Sequence, residues 1–179
     1  MLQQILKFYF ILTIIPLTWT THTPQLATLE DFPDNRSELP LVKVENKYYF
    51  FGQFKVNWYE AFLICRSMDA FLASYNSPQE LSTLSKYLIA NYPLDHWWWL
   101  SGTDQQLEGD FFWFSTGKRI FYADWSAGQP DNNGGNENCV HLWYKERKYQ
   151  MNDWVCNRLA YYICDLEKRN NNNTDSSTT

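Results

Sequence analysis

Five side chains with hard oxygen acceptors, Gln129, Asp131, Glu137, Asn152 and Asp153, crowd into one short stretch of this chain. They supply three carboxylates and two amide carbonyls, the groups from which Ca²⁺ takes its roughly 6–8 oxygen ligands. Pro130 separates the first two and can fix the backbone between them; a cis bond there would aim both neighbouring side chains the same way. Cys139 lies just after the first cluster and Cys156 just after the second, so a disulfide between them would bring the two clusters together. The sequence thus suggests a cation held on a stapled loop.

The chain has 179 residues, enough for one domain with two tails. Aromatic residues make up 18%, including nine Trp, which points to a compact aromatic core. The formal net charge of −5 argues against nucleic acid or an anionic membrane surface as partner. Four Cys form an even set, as two disulfides require, and their spacing lacks the paired C-x-x-C of a zinc site.

Residues 1–21 read as a signal peptide. Lys7 precedes the apolar run from Phe8 to Leu17, and small polar residues follow from Thr18 to Thr23. About ten apolar residues are too few to span a bilayer, and no basic stop-transfer flank follows them. The expected mature protein is secreted to the extracellular space without a membrane span, and disulfides are the default there. Residues 22–40 read as a linker with a sequon at Asn35, and 167–179 as a polar tail with a second sequon at Asn172. Each is a candidate glycosylation site.

Residues 41–166 form the expected domain. Lys47 to Gln53 reads as an aromatic strand closing near Gly52. Asn57 caps a helix with Glu60 in the capping-box position, and Trp58, Ala61, Phe62, Cys65 and Met68 share one of its faces. Ser77 caps a second helix with Pro78 at its first position and Glu80 at its third. Its apolar stripe is Leu81, Leu84, Leu88 and Tyr87, and the region ends at Pro93. Short aromatic strands follow: 97–100, 111–114, 139–143, 149–153 and 161–164. Helices first and strands later argue an α+β domain. Residues 123–138 form a long loop rich in Gly, Asn and Asp, and loops of that length are usually functional.

In order along the chain, Cys65, Trp99-Leu100-Ser101-Gly102-Thr103-Asp104, Gln129-Pro130-Asp131, Glu137-Asn138-Cys139, Asn152-Asp153-Trp154-Val155-Cys156 and Tyr162-Ile163-Cys164 match a family pattern. The chain resembles a C-type lectin of the short, secreted, single-domain kind found in invertebrates. The resemblance implies two helices packed on small antiparallel sheets, with disulfides Cys65–Cys164 and Cys139–Cys156. It also implies that Gln129, Asp131, Glu137, Asn152 and Asp153 bind the sugar-contacting Ca²⁺, Asp153 through its backbone carbonyl as well. In this family the ligand side chains also hydrogen-bond the sugar hydroxyls. Carboxylates accept and amides donate, so their order selects the diol. Gln-Pro-Asp is associated with galactose-type glycans, Glu-Pro-Asn with mannose-type.

The chain departs from that pattern in places. No Trp follows Gln-Pro-Asp to stack on a sugar; Asn132-Asn133-Gly134-Gly135 stands there instead. Met151 replaces the usual Trp before Asn152, a packing change that spares the ligands, and Ser101 replaces a usual Gly. Asp104, Glu108 and Glu137 match acidic positions of an accessory Ca²⁺ site, but its two further positions are Asn132 and Asn138 where Asp is usual. That leaves less negative charge for a second ion.

The function this implies is Ca²⁺-dependent binding of galactose-type glycans, in glycan recognition such as innate immunity or agglutination. A protein-binding C-type lectin-like domain is the alternative; such members often lack the calcium ligands. An enzyme is not expected. The carboxylates are accounted for as ligands, and no nucleophile elbow, H-E-x-x-H or Cys/His pair is present. A single weak sugar site gains from multivalency, which favours a homo-oligomer, though no heptad stalk is present to build one. The Trp residues at 97, 98, 99, 113, 125 and 154 are expected in the core, and His96 and His141 in the core or in solvent.

Overall fold

Asn57 starts the first helix as its chemistry dictates. In the computed structural model, which describes residues 40–45 and 47–166, its side chain accepts from Glu60 N at 2.9 Å and Glu60 Oε2 accepts from Asn57 N at 3.1 Å. This reciprocal box satisfies two amides that the first helical turn leaves unpaired. Helix α1 spans Trp58–Ser67 and buries Trp58, Ala61, Ile64 and Cys65. Phe62 lies half-buried beside the core, with its ring 5.0 Å from that of Phe114. Helix α2 spans Pro78–Asn91, capped by Ser77 Oγ accepting from Glu80 N at 3.2 Å. It buries Leu81, Leu84, Leu88 and also Ser85, whose Oγ accepts from Tyr149 N at 2.8 Å. Tyr87 stays at the margin, stacked on Phe51.

The strands are β1 (Val42–Val44), β2 (Lys47–Phe51), β3 (Phe71–Leu72), β4 (Trp98–Thr103), β5 (Phe112–Trp113), β6 (Lys118–Arg119), β7 (Cys139–Lys145), β8 (Lys148–Trp154) and β9 (Tyr161–Leu166). The path runs β1-β2-β9-β4-β5-β6, with β3 on β9, β7 on β4, and β8 on β7. Near the two ends of the domain, Tyr48 of β2 lies opposite Leu166 of β9. The strands are not all antiparallel: β9 and β4 run parallel, pairing Trp98 with Tyr161 and Trp99 with Tyr162. Strands β1, β3 and β6 lie outside the expected set. At two or three residues each they are too short to show a periodicity.

Two apolar clusters fill the domain. One holds Trp98, Leu100, Trp113, Met151 and the α2 leucines; the other holds Trp58, Trp99, Tyr162 and both disulfides. Cys65–Cys164 ties α1 to β9, and Cys139–Cys156 ties the start of β7 to the chain just past β8, as the resemblance implied. Trp98, Trp99 and Trp113 are fully buried, while Trp97, Trp125 and Trp154 are half-buried against the core. Gly102 lets β4 approach β7 closely, because a Cβ there would lie 2.7 Å from Val140 Cγ2.

Candidate metal and ligand site

Strands β7 and β8 form the hairpin on which the site is built. Their register sets Val140 opposite Asp153 and His141 opposite Asn152. The turn is Glu146-Arg147, both at positive φ (48° and 66°). The loop at 123–138 is sewn to β8 at its start: Met151 N donates to Asp124 O at 2.8 Å, and Ser126 N donates to Met151 O at 3.0 Å. Met151 is fully buried, and Tyr75 Oη contacts its sulfur. The side chain that replaces Trp therefore serves packing while its backbone anchors the loop.

From that anchor the loop brings three carboxylates together. Ligand atoms of Asp131, Glu137 and Asp153 all lie within 4.8 Å of one another, and among the described residues no other group of three His, Cys, Asp or Glu does so. Asp153 is buried, Glu137 half-buried and Asp131 exposed. Asp153 accepts from two successive loop amides, Asp131 N at 3.2 Å and Asn132 N at 2.8 Å. Glu137 Oε2 accepts from Asn133 N at 3.1 Å, and Glu137 N donates to Asn132 Oδ1 at 3.1 Å. The Gln129–Pro130 bond is cis.

Like charges at this separation repel. Glu137 shows it: its carboxyl is pushed above the ordinary range, by burial first and also by Asp131 and Asp153 beside it. The two amides of the set complete the pattern. Gln129 Oε1 and Asn152 Oδ1 are buried oxygens with no hydrogen-bond partner. Buried acceptors are nearly always paired, so two orphans flanking three crowded carboxylates mark a place for positive charge. The donors are all oxygen, as Ca²⁺ prefers, and nothing soft enough for zinc or copper is among them. The residues present fit Ca²⁺. The Asp153 backbone carbonyl accepts from Asn152 Nδ2 at 2.5 Å, which leaves its second lone pair for a ligand.

The accessory positions are less complete. Asp104 is buried, with Oδ2 accepting from Gly109 N at 2.8 Å and Oδ1 unpaired; Asn138 Oδ1 is also unpaired. Burial, opposed by the Gly109 hydrogen bond and reinforced by Glu108, raises the Asp104 carboxyl. Asn132, however, spends its Oδ1 on the Glu137 amide, and Asp104, Glu108 and Glu137 form no compact carboxylate group.

One residue next to the site exceeds what the sequence suggested. His141, expected in the core or in solvent, is completely buried, and its Nε2 lies 2.9 Å from Asn152 Nδ2. Burial drives its pKa down to about 3, so the ring is neutral. The β7–β8 register could have flagged it, because directly opposed residues share a face. His96, by contrast, is half-buried and stacks on Tyr161 at 3.9 Å. The sequons at Asn35 and Asn172, the signal sequence and the tail lie outside the described residues.

Comparison with known proteins agrees with this architecture. A family model for the lectin C-type domain matches residues 54–166. C-type lectin 37Da of Drosophila melanogaster is 35% identical over 137 residues, 73% of each chain. A perlucin-like protein of Mytilus galloprovincialis is 32% identical over 123 residues, covering 68% of this chain and 78% of its own. Among solved structures, the carbohydrate-recognition domain of the mouse scavenger receptor C-type lectin is 29% identical. It covers 72% of this chain and 94% of its own, with a TM-score of 0.63. The carbohydrate-recognition domain of cow CD23, determined in the presence of a GlcNAc2Man3 oligosaccharide, is 26% identical. It covers 72% of this chain and 93% of its own, with a TM-score of 0.61. The chain belongs to the C-type lectin family, whose members are carbohydrate-binding proteins and not enzymes.

Proposed function

We propose that this protein is a secreted lectin that binds galactose-type glycans through Ca²⁺ held by Gln129, Asp131, Glu137, Asn152 and Asp153. The observation that carries the reading is the crowding of three carboxylates within 4.8 Å beside two unpaired buried amide oxygens. Bound Ca²⁺ supplies coordination positions for two neighbouring sugar hydroxyls. The chain's own groups then sort the hydroxyls. Gln129 can donate from its amide nitrogen, and Asp131 can only accept. In that order they favour the diol geometry of galactose over that of mannose. Asp153, tied to the loop amides, and Glu137, tied to Asn133, hold the loop in the shape that presents both.

Secretion agrees with the signal-like N-terminus and both disulfides; among the described residues no helix is long and apolar enough to cross a membrane. Two relatives are named as salivary C-type lectins of Aedes albopictus, which accords with an extracellular setting. Glycan recognition in innate defence or agglutination is the corresponding role, and agglutination requires a homo-oligomer to present more than one site. The test is retention of the oxidised protein on immobilised galactose with Ca²⁺ and its release by EGTA. Retention that survives EGTA, or no retention on any glycan in an array, would favour a protein ligand instead.

A further inference from the structure

His141 is buried in an aromatic cage. Trp97 stacks on it at 5.2 Å between ring centroids, Trp154 lies at 5.2 Å, and Trp99 and Trp143 meet it edge-on at 5.7 Å. A hydrocarbon side chain would fill such a cage at lower cost, because a polar ring loses its water on burial. The backbone of Leu142 also acts on the ring, and the ring's side-chain hydrogen bond joins Nε2 to Asn152 Nδ2 at 2.9 Å. The register explains the contact: His141 lies directly opposite Asn152 on the β7–β8 hairpin, so both side chains leave the same face.

An amide nitrogen carries only donors, so Asn152 donates and the imidazole Nε2 accepts. Its second Nδ2 proton goes to Asp153 O at 2.5 Å. Both protons are thereby engaged inside the protein, and the amide cannot turn without losing two hydrogen bonds. Oδ1 is left buried and unpaired, as a metal ligand needs to be. We propose that His141 is a positioning residue for the cation site, holding the Asn152 amide so that its oxygen is reserved for Ca²⁺. This inference rests on the Ca²⁺-lectin reading above, and extends it to a residue that touches neither ion nor sugar.

Two substitutions test it. His141→Phe keeps an aromatic ring for the four Trp and removes the acceptor, whereas His141→Gln restores one. Replacing a group that orients a metal ligand costs about 10–100-fold in metal affinity. The expected result is that His141→Phe melts in EGTA near the wild-type temperature, binds Ca²⁺ at least about tenfold more weakly by calorimetry, and recovers most of that affinity as His141→Gln. A second readout needs no metal. In EGTA, NMR should show the Asn152 side-chain amide protons protected from solvent exchange in the wild type and exposed in His141→Phe. Wild-type Ca²⁺ affinity in folded His141→Phe, or equal weakening in both variants, overturns the proposal. So does an unprotected Asn152 amide in the wild type, which decides the matter even if His141→Phe fails to fold. If the wild type takes up no Ca²⁺ while the Asn152 amide is protected through His141, the lectin reading falls and the positioning contact stands.

Discussion

Asn132 donates its backbone amide to Asp153 Oδ2 at 2.8 Å, joining the middle of a long loop to the end of a strand twenty-one positions away. Asn132 has φ of 43°, a left-handed conformation that Asn tolerates better than most residues, and this turns its amide toward β8. The loop is thus held by one of the carboxylates it helps to bring together.

Asp153→Ala removes a proposed charged ligand and that anchor at once. Ca²⁺ uptake and sugar binding should be abolished, and stability should fall by about 1–3 kcal/mol from the lost hydrogen bonds. Glu137→Ala should abolish the same binding with a smaller loss of stability, because its one backbone contact, to Asn133, is exposed. Calorimetry with Ca²⁺ and thermal melting in EGTA check both, and wild-type sugar binding by either variant would contradict the ligand assignment.

The tripeptide order can be reversed. Gln129→Glu with Asp131→Asn keeps one carboxylate and one amide at the ion and exchanges donor for acceptor. Preference should move from galactose toward mannose. No aromatic residue stands between Ala127 and Asn138 to stack on a sugar, so the starting preference should be modest, about tenfold or roughly 1.4 kcal/mol. Competition of galactose against mannose on both proteins reads the change. Identical ranking with Ca²⁺ dependence intact would place selectivity elsewhere in the loop.

Acid should release the ion early. Burial, together with Asp131 and Asp153, raises the Glu137 carboxyl above its ordinary value of 4.5. Without Ca²⁺ the folded state therefore holds this proton more tightly than the unfolded chain. The stabilisation is fully present below the unfolded value and is lost as pH rises through the raised one. Ca²⁺ requires the ionised group, so affinity should decline as pH falls through that same range, at higher pH than an isolated glutamate would give. Ca²⁺ titrations across the acid limb should show this, with Glu137→Gln removing most of the dependence.

The oxidised protein should bind one Ca²⁺ per chain. Asn132 Oδ1 is committed to the Glu137 amide, and Asn138 brings no charge, so Asp104 and Glu108 are left with too few ligands for a second ion. A stoichiometry of two in calorimetry, reduced to one by Asp104→Ala, would show that the accessory positions suffice.

Much of this was legible in the residues. Asn57 with Glu60 and Ser77 with Pro78 announced both helices, because caps act locally and their chemistry does not depend on the rest of the chain. The cluster of Asp131, Glu137 and Asp153 was legible because oxygen donors with this spacing and two nearby cysteines are rare together. What escaped notice depends on pairing. The strand at Val42–Val44 exists only because Tyr49 and Lys47 lie opposite it. The parallel contact of β4 with β9 joins segments far apart in sequence. His141 looked unremarkable because the Trp cage and the Asn152 amide reach it only through the sheet register. Ser85 and Ser126, polar and buried, were hidden for the same reason: each partners a strand residue far away in sequence, Tyr149 and Trp143, which only the tertiary fold brings near.

The two disulfides should separate stability from function. Loop-closure entropy gives about 4.7 kcal/mol for Cys65–Cys164, which spans 99 residues, and about 3 kcal/mol for Cys139–Cys156, which spans 17. Replacing the first pair by Ser should cost more in denaturant unfolding. Replacing the second should cost less, yet weaken Ca²⁺ binding more, since it holds β7 beside the ligands of β8. The reverse ranking of Ca²⁺ affinities would show that the loop needs no staple.

The order β1-β2-β9 leaves only β2 between the first and last strands, with Tyr48 against Leu166, so the chain enters and leaves this domain close together. A unit with adjacent entry and exit is a plug-in part: it can be spliced into a surface loop of another protein, or strung in series, without prying that host apart. For a lectin domain, copy number then becomes a matter of genetic concatenation, and avidity can be tuned by spacer length alone.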